Sequence, residues 1–121
     1  MRKILTAAAL TAAAAIVPAT AAPAATAAPA GDCSPGELCL WVKPGYQGAR
    51  TVHGLADTDV NSCVPLPEGV SAKSFVNRTG RLVTTYQSRE CATEGDFVTF
   101  PSGSWVPESR HTVRAIQIVD Q

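Results

Sequence analysis

The feature that most constrains this chain is a set of four cysteines, all of which lie beyond residue 32 of its 121 residues: Cys33, Cys39, Cys63 and Cys91. In an oxidising compartment such a set predicts two disulfides, and four cysteines allow three pairings. We favour Cys33 with Cys39 and Cys63 with Cys91, because Pro35-Gly36 predicts a turn between the first two. Closing loops of about 7 and 29 residues would contribute roughly 2.4 and 3.6 kcal/mol in the chain-entropy model.

The N-terminal segment indicates that the compartment is oxidising, because it has the pattern of a secretory signal. Met1-Arg2-Lys3 is positive, residues 4–17 are apolar and rich in alanine, and Ala19-Thr20-Ala21 offers a small-residue cleavage site. Residues 25–27 offer a second cleavage site, and both stay open. The apolar run is too short and too weakly hydrophobic to span a hydrocarbon core of about 30 Å.

We therefore expect a secreted, extracellular protein without a membrane anchor after cleavage. Its expected parts are a signal peptide at residues 1–21, with cleavage between 21 and 30, a flexible Ala/Pro leader at 22–31 and one domain at 32–121.

Composition argues against several classes of function. Removing Arg2 and Lys3 leaves eight basic residues of the original ten against ten acidic ones, a balance of −2. That balance gives no basic surface for nucleic acid. The chain has no C-x-x-C pair, and His53 and His111 stand alone, so we expect neither a metal site nor a cofactor. No G-x-S-x-G or H-E-x-x-H motif is present, and we expect no enzyme.

The pattern of apolar residues predicts an all-β domain. Beyond Gly31 no stretch keeps a helical period for three turns, whereas short β-branched and aromatic runs recur between turn-forming clusters. Six or seven such strands indicate a sandwich or barrel. The expected strands are residues 38–43, 49–54, 72–77, 81–87, 96–100 and 112–119. We expect Trp41, Tyr46, Tyr86 and Phe97 in the core and Trp105 to be partly exposed.

The domain also contains two similar halves. Leu40-Trp41 and Thr85-Tyr86 open strands 45 residues apart, and Lys73 to Val76 and Arg114 to Ile118 close the halves with an offset of 41 residues. These offsets match the length of one four-stranded Greek key.

Specific motifs connect this pattern to known proteins. The sequence Trp41-x-x-x-x-Tyr46-x-Gly48 resembles the aromatic-aromatic-glycine signature of the βγ-crystallin Greek key. Together with the preceding Cys33-Ser-Pro-Gly-Glu-Leu-Cys39 and with Ser74 to Gly80, it resembles peptidase inhibitor family I36, a group of small secreted actinomycete proteins. The resemblance runs from Cys33 to Val119. It implies a βγ-crystallin-like double Greek-key sandwich, stapled by disulfides, and inhibition of thermolysin-like zinc metalloproteinases.

Two departures from the crystallin pattern qualify these expectations. The second half has Tyr86-x-x-x-x-Cys91 where a second aromatic is expected. The positions of paired calcium ligands are Gly69-Val70 and Arg110-His111, and neither pair supplies carboxylates. We therefore predict no high-affinity calcium site of that type.

An inhibitor needs a rigid loop, which we expect to be extended and substrate-like, because preorganisation removes the ordering cost of binding. The first candidate lies in Ser88 to Gly95, with Arg89, Glu90, Cys91 and Ala92 as its inhibitory residues. The alternative lies in Asn61 to Pro67, with Cys63, Val64 and Leu66, of which Val64 and Leu66 would enter an apolar pocket of the proteinase.

The function that these observations favour is a monomeric, secreted inhibitor of an extracellular proteinase, expected to be a metalloproteinase. The alternative from another class is a βγ-crystallin-like binding or cell-envelope module that inhibits nothing.

Overall fold

A computed structural model describes residues 30–120 as an all-β domain with one 3-10 turn at Leu55–Asp57. The signal peptide, its cleavage sites and the leader up to residue 29 lie outside the described residues. Within the described part, no helix is long and apolar enough to cross a membrane. The eight strands are β1 (Glu37–Lys43), β2 (Gln47–Gly54), β3 (Val64–Pro65), β4 (Ser74–Asn77), β5 (Leu82–Tyr86), β6 (Phe97–Phe100), β7 (Ser104–Val106) and β8 (Ala115–Val119).

The strands form two antiparallel four-stranded sheets, ordered β2-β1-β4-β7 and β3-β8-β5-β6. Each half of the chain has four strands. Three of them lie in one sheet, and the remaining one, β3 or β7, lies in the other sheet. In each half the fourth strand returns to lie beside the first, which is the closing step of a Greek key. The expectation of an all-β sandwich is thus confirmed, and its likeness to the βγ-crystallins stays a prediction.

The two strands that the sequence pattern missed, β3 and β7, are the ones exchanged between the sheets. β3 has only two residues, one of them Pro65, and pairs with β8. β7 has three residues and pairs with β4. Such short strands owe their conformation to partners distant in sequence, so they carry no local period.

The main core lies between the sheets. Leu38 and Leu40 of β1 pack in one cluster with Phe75 of β4 and with the β8 residues Ile116 and Ile118. The ring of Phe75 also meets that of Phe100, with centroids 4.9 Å apart in an edge-on arrangement. Full burial of each such side chain contributes about 1.5–3 kcal/mol. Apolar burial between the layers therefore holds the sandwich together.

A second, smaller cluster covers the other face of β1. It contains Cys33, Cys39, Trp41 and Val76, with Tyr46 packed against it. Because side chains alternate along a strand, β1 sends its leucines into the main core and Cys39 and Trp41 to the outer face. The Cys33–Cys39 disulfide thus lies within an apolar cover over the first sheet.

The hairpin between β1 and β2 is held by a buried hydroxyl and a left-handed backbone. The Tyr46 amide donates to Ser74 Oγ over 2.9 Å, and the Ser74 hydroxyl donates to the carbonyl of Lys43 over 2.7 Å. Tyr46 has φ of 61° and Gly48 has φ of 85°. The Tyr46 ring then meets Trp41 edge-on, with centroids 5.3 Å apart. Trp41, Tyr46 and Gly48 thus belong to one packed hairpin.

Two histidines are partly or wholly enclosed. His111 is buried, its Nε2 lies 3.4 Å from Thr85 Oγ1, and its Nδ1 has no partner among the described residues. Burial lowers the pKa of His111 from 6.5, and the negative charge of Asp96 offsets part of that effect. Burial also lowers the pKa of His53.

We expect Gly48→Ala to destabilise the fold by about 2–4 kcal/mol, because its Cβ would meet both an unfavourable φ and a steric clash. That Cβ would lie 2.6 Å from Cγ2 of Val42. Gly80→Ala is the matched control, since Gly80 has the same φ of 85° and open space around its Cβ. Urea denaturation measures both variants, and equal losses would show that the close approach at Gly48 contributes nothing.

We expect the free energy of unfolding to fall as the pH drops below about 6.5, because the unfolded histidines take up protons before the folded ones do. Above that pH both states are neutral at these residues and the effect vanishes. Urea midpoints between pH 8 and pH 5 measure the slope, and His111→Gln is expected to flatten it. An unchanged slope in this variant would contradict the assignment to His111.

Candidate inhibitory loops

The two candidate inhibitory segments lie side by side. A disulfide joins Cys63 to Cys91, with Cα atoms 5.8 Å apart, and the other disulfide joins Cys33 to Cys39. This is the pairing that the sequence favours. We call Asn61 to Pro67 together with Ser88 to Gly95 the cross-linked loop pair. The two candidates are therefore parts of one surface.

A side-chain hydrogen bond joins the same two loops a second time. Nη2 of Arg89 donates to the carbonyl oxygen of Leu66 over 2.8 Å. Arg89 is partly buried, whereas Glu90 and Cys63 are exposed and Ala92 is partly exposed. Arg89 thus holds the loops together, and Glu90 is the charged group that the turn presents to solvent.

The conformation of the loop from Ser88 to Gly95 corrects one expectation. The Cys91 amide donates to the carbonyl of Ser88 over 3.2 Å, and the Glu90 amide donates to Ser88 Oγ over 3.1 Å. Cys91 has φ of 57°. The segment is therefore a compact turn with a left-handed residue, and at Cys91 it does not have the extended, substrate-like shape expected from the sequence.

The alternative loop also needs a correction. Leu66 is only 1% exposed and packs in the main core. Val64 is partly buried and packs against the same cluster. Val64 pairs with Ile116 as part of β3. Leu66 cannot enter a proteinase pocket while the core is intact, and only the exposed part of Val64 is free to make contact. Their apolar character, which suggested binding, serves packing instead.

The cross-linked loop of the second half corresponds to the β1–β2 hairpin of the first half. Tyr46 and Cys91 each follow an aromatic residue by five positions, and their φ values are 61° and 57°. The Lys73 amide donates to the Trp41 carbonyl, and the Arg114 amide to the Tyr86 carbonyl, both over 2.8 Å. The first hairpin is packed by an aromatic ring, and in the second the disulfide takes that place.

The exposed aromatic residues are Phe97 and Trp105, at 46% and 47% exposure. Partial exposure of Trp105 is as expected. The placement of Phe97 in the core is wrong, because β6 is an edge strand and the ring stacks on Tyr86 at 5.9 Å, on the outer side of the sheet's last strand pair. A pocket of about 470 Å³, lined in part by Trp41, Tyr46 and Arg50, lies near the start of the described chain.

One group within residues 30–120 brings three residues of metal-ligating types together, namely Cys33, Glu37 and Cys39. The two sulfurs form a disulfide and cannot act as thiolate ligands. The group therefore does not fit a metal ion.

Comparison with known proteins decides the family. The sequence model of peptidase inhibitor family I36 matches residues 26–98, which is more than half of the chain. The chain belongs to peptidase inhibitor family I36. Searches among curated proteins and among solved structures gave no match. The I36 membership means that this protein is a peptidase inhibitor and not an enzyme, and that its partner is a peptidase.

The I36 match includes both disulfides and both segments of the cross-linked loop pair. It ends before β7 and β8, so the two strands that complete the sheets lie beyond the matched segment. The loops of interest are thus within the part of this I36 protein that carries the family pattern.

We expect the double variant Cys63→Ala/Cys91→Ala to lose about 3–4 kcal/mol of stability, because the unfolded chain regains the freedom of a long loop. Amide hydrogen exchange in Ser88 to Gly95 is expected to accelerate beyond the global effect. Cys33→Ala/Cys39→Ala is the control, with faster exchange on the outer face of β1 instead. Unchanged local exchange in the loop would contradict the role of the Cys63–Cys91 bond.

Proposed function

We propose that this I36 protein is exported and, as a monomer, inhibits an extracellular thermolysin-like zinc metalloproteinase by placing the cross-linked loop pair in the enzyme's cleft. The observation that carries the proposal is the double connection between the loops, through the Cys63–Cys91 disulfide and the Arg89 to Leu66 hydrogen bond. The signal pattern at residues 1–21 supports export.

The mechanism is preorganisation. A free peptide pays for the ordering of its backbone and side chains when it binds, and a loop already held in one shape pays less. Here the loop is attached to a strand of the core on one side, because Val64 and Leu66 are packed. Its turn is closed by the Ser88 carbonyl and hydroxyl. We propose that it acts as a preformed wedge and not as an extended substrate mimic across Cys91.

Glu90 supports a metalloproteinase as the target. Its carboxylate is exposed within this turn, and carboxylate oxygens belong to the ligand types that zinc accepts in an open catalytic site. A rigid turn that presents such a group suits a cleft whose centre is a metal ion. We therefore propose Glu90 as the residue directed toward the catalytic zinc.

Titration of a thermolysin-type, a serine and a cysteine proteinase with the purified domain tests the proposal. We expect only the metalloproteinase to lose activity, with a plateau near one equivalent. Glu90→Gln is expected to raise the inhibition constant about tenfold, the effect of losing one interfacial charge contact. Glu94→Gln, in the same loop and also exposed, is the control and is expected to change it less than about twofold.

Absence of inhibition of all three classes at large molar excess would refute the inhibitor proposal. Equal effects of the two glutamate variants on the inhibition constant would contradict the role of Glu90, while the inhibitor proposal would stand.

A second candidate activity is ligand binding at a pocket separate from the cross-linked loop pair. The pocket lined by Trp41 and Tyr46 favours it, because aromatic surfaces with polar neighbours such as Gln47 and Arg50 are suited to small ligands. Saturable, ligand-induced changes in tryptophan fluorescence would favour this candidate.

A further inference from the structure

A surface depression of about 280 Å³ lies next to the cross-linked loop pair. It is lined by Gly69, Val70, Ser71, Arg89 and Arg114. Two of these five residues are cationic and none is acidic. A Cβ added to Gly69 would have no atom within 4 Å, so this side of the depression is open.

The fold holds Arg89 by its head group and Arg114 by its backbone. Arg89 is fixed through Nη2 to the Leu66 carbonyl. The backbone of Arg114 donates to the Tyr86 carbonyl over 2.8 Å and accepts from the Leu66 amide over 2.9 Å. Arg114 is therefore anchored to the sheet through its backbone, and Arg89 is anchored to the neighbouring loop through its head group.

Neither guanidinium has an ionic partner within the described residues, where the one ion pair joins Arg81 and Asp120. Glu68 and Glu90 are chain neighbours of lining residues, yet they lie outside ion-pair distance of both arginines. In addition, Nε of Arg89 is buried and has no acceptor among residues 30–120. Because Nε itself is enclosed, a ligand from solvent would meet Nη1 of Arg89, which has no hydrogen-bond partner among residues 30–120, and the exposed side chain of Arg114.

A carboxylate supplies what this arrangement lacks. Its two oxygens match the planar fork of a guanidinium, and hydrogen bonds between such ionised groups are among the strongest in proteins. We infer that the depression is a carboxylate-binding site and that, in the inhibited complex, the carboxylate is an Asp or Glu side chain of the proteinase. The second part rests on the proposed function.

The site itself can be tested without a proteinase. The wild-type domain is titrated with sodium acetate while NMR monitors the arginine Nε–H signals. We expect the Arg89 signal to shift and to reach saturation. Arg114→Gln is expected to weaken acetate binding at least about fivefold, because one of two charges is lost. Arg110→Gln removes the same charge from an exposed residue outside the depression and is expected to leave acetate binding unchanged. A linear, non-saturating response of the wild type would overturn the site.

The source of the carboxylate is tested with the inhibited enzyme. At low ionic strength Arg114→Gln is expected to raise the inhibition constant about tenfold relative to Arg110→Gln, and the difference is expected to shrink as salt is added. Arg114→Lys, which keeps the charge and loses the fork, is expected to fall between the two.

The outcomes separate the two proposals. Inhibition that is equal in Arg114→Gln and Arg110→Gln would overturn the assignment of the carboxylate to the proteinase, while the proposed function would stand. If no proteinase is inhibited, the proposed function is wrong. Saturable acetate binding at Arg89 would then still support the carboxylate site.

Discussion

The bond between Cys63 and Cys91 is the constraint on which the candidate site depends. In the first half of the chain, Tyr46 holds its hairpin by packing on Trp41 and by donating to buried Ser74. In the second half Cys91 occupies the corresponding left-handed position and has no ring to pack. The disulfide from Cys91 to Cys63, which directly precedes β3 in the first half, replaces that packing. The same bond therefore closes the fold and shapes the surface.

Core and surface are coupled through this link. Cys63 immediately precedes β3, whose Val64 pairs with β8 and is followed by fully packed Leu66. Arg89 then reaches the Leu66 carbonyl from the other loop. A change in the loop is transmitted to the packed strand by one covalent and one hydrogen bond. We propose that this coupling keeps the polar turn in one conformation.

Much of the architecture was readable from local signals. The short β-branched and aromatic runs and the turn-forming clusters between them are properties of short segments, and they predicted six of the strands. β3 and β7 were missed because pairing with distant strands defines them. The candidate loops were chosen through their cysteines, but their shapes were not predicted, since the turn at Ser88 and the burial of Leu66 depend on tertiary contacts. Phe97 was misplaced because apolar character alone does not distinguish an edge strand from a central one.

The central claim is that the loop is already shaped before a proteinase meets it, and backbone 15N relaxation of the free domain measures this most directly. We expect order parameters for Ser88 to Ala92 of about 0.85, the value of rigid backbone in the strands. Order parameters below about 0.6 in this segment, with the disulfide intact, would contradict it.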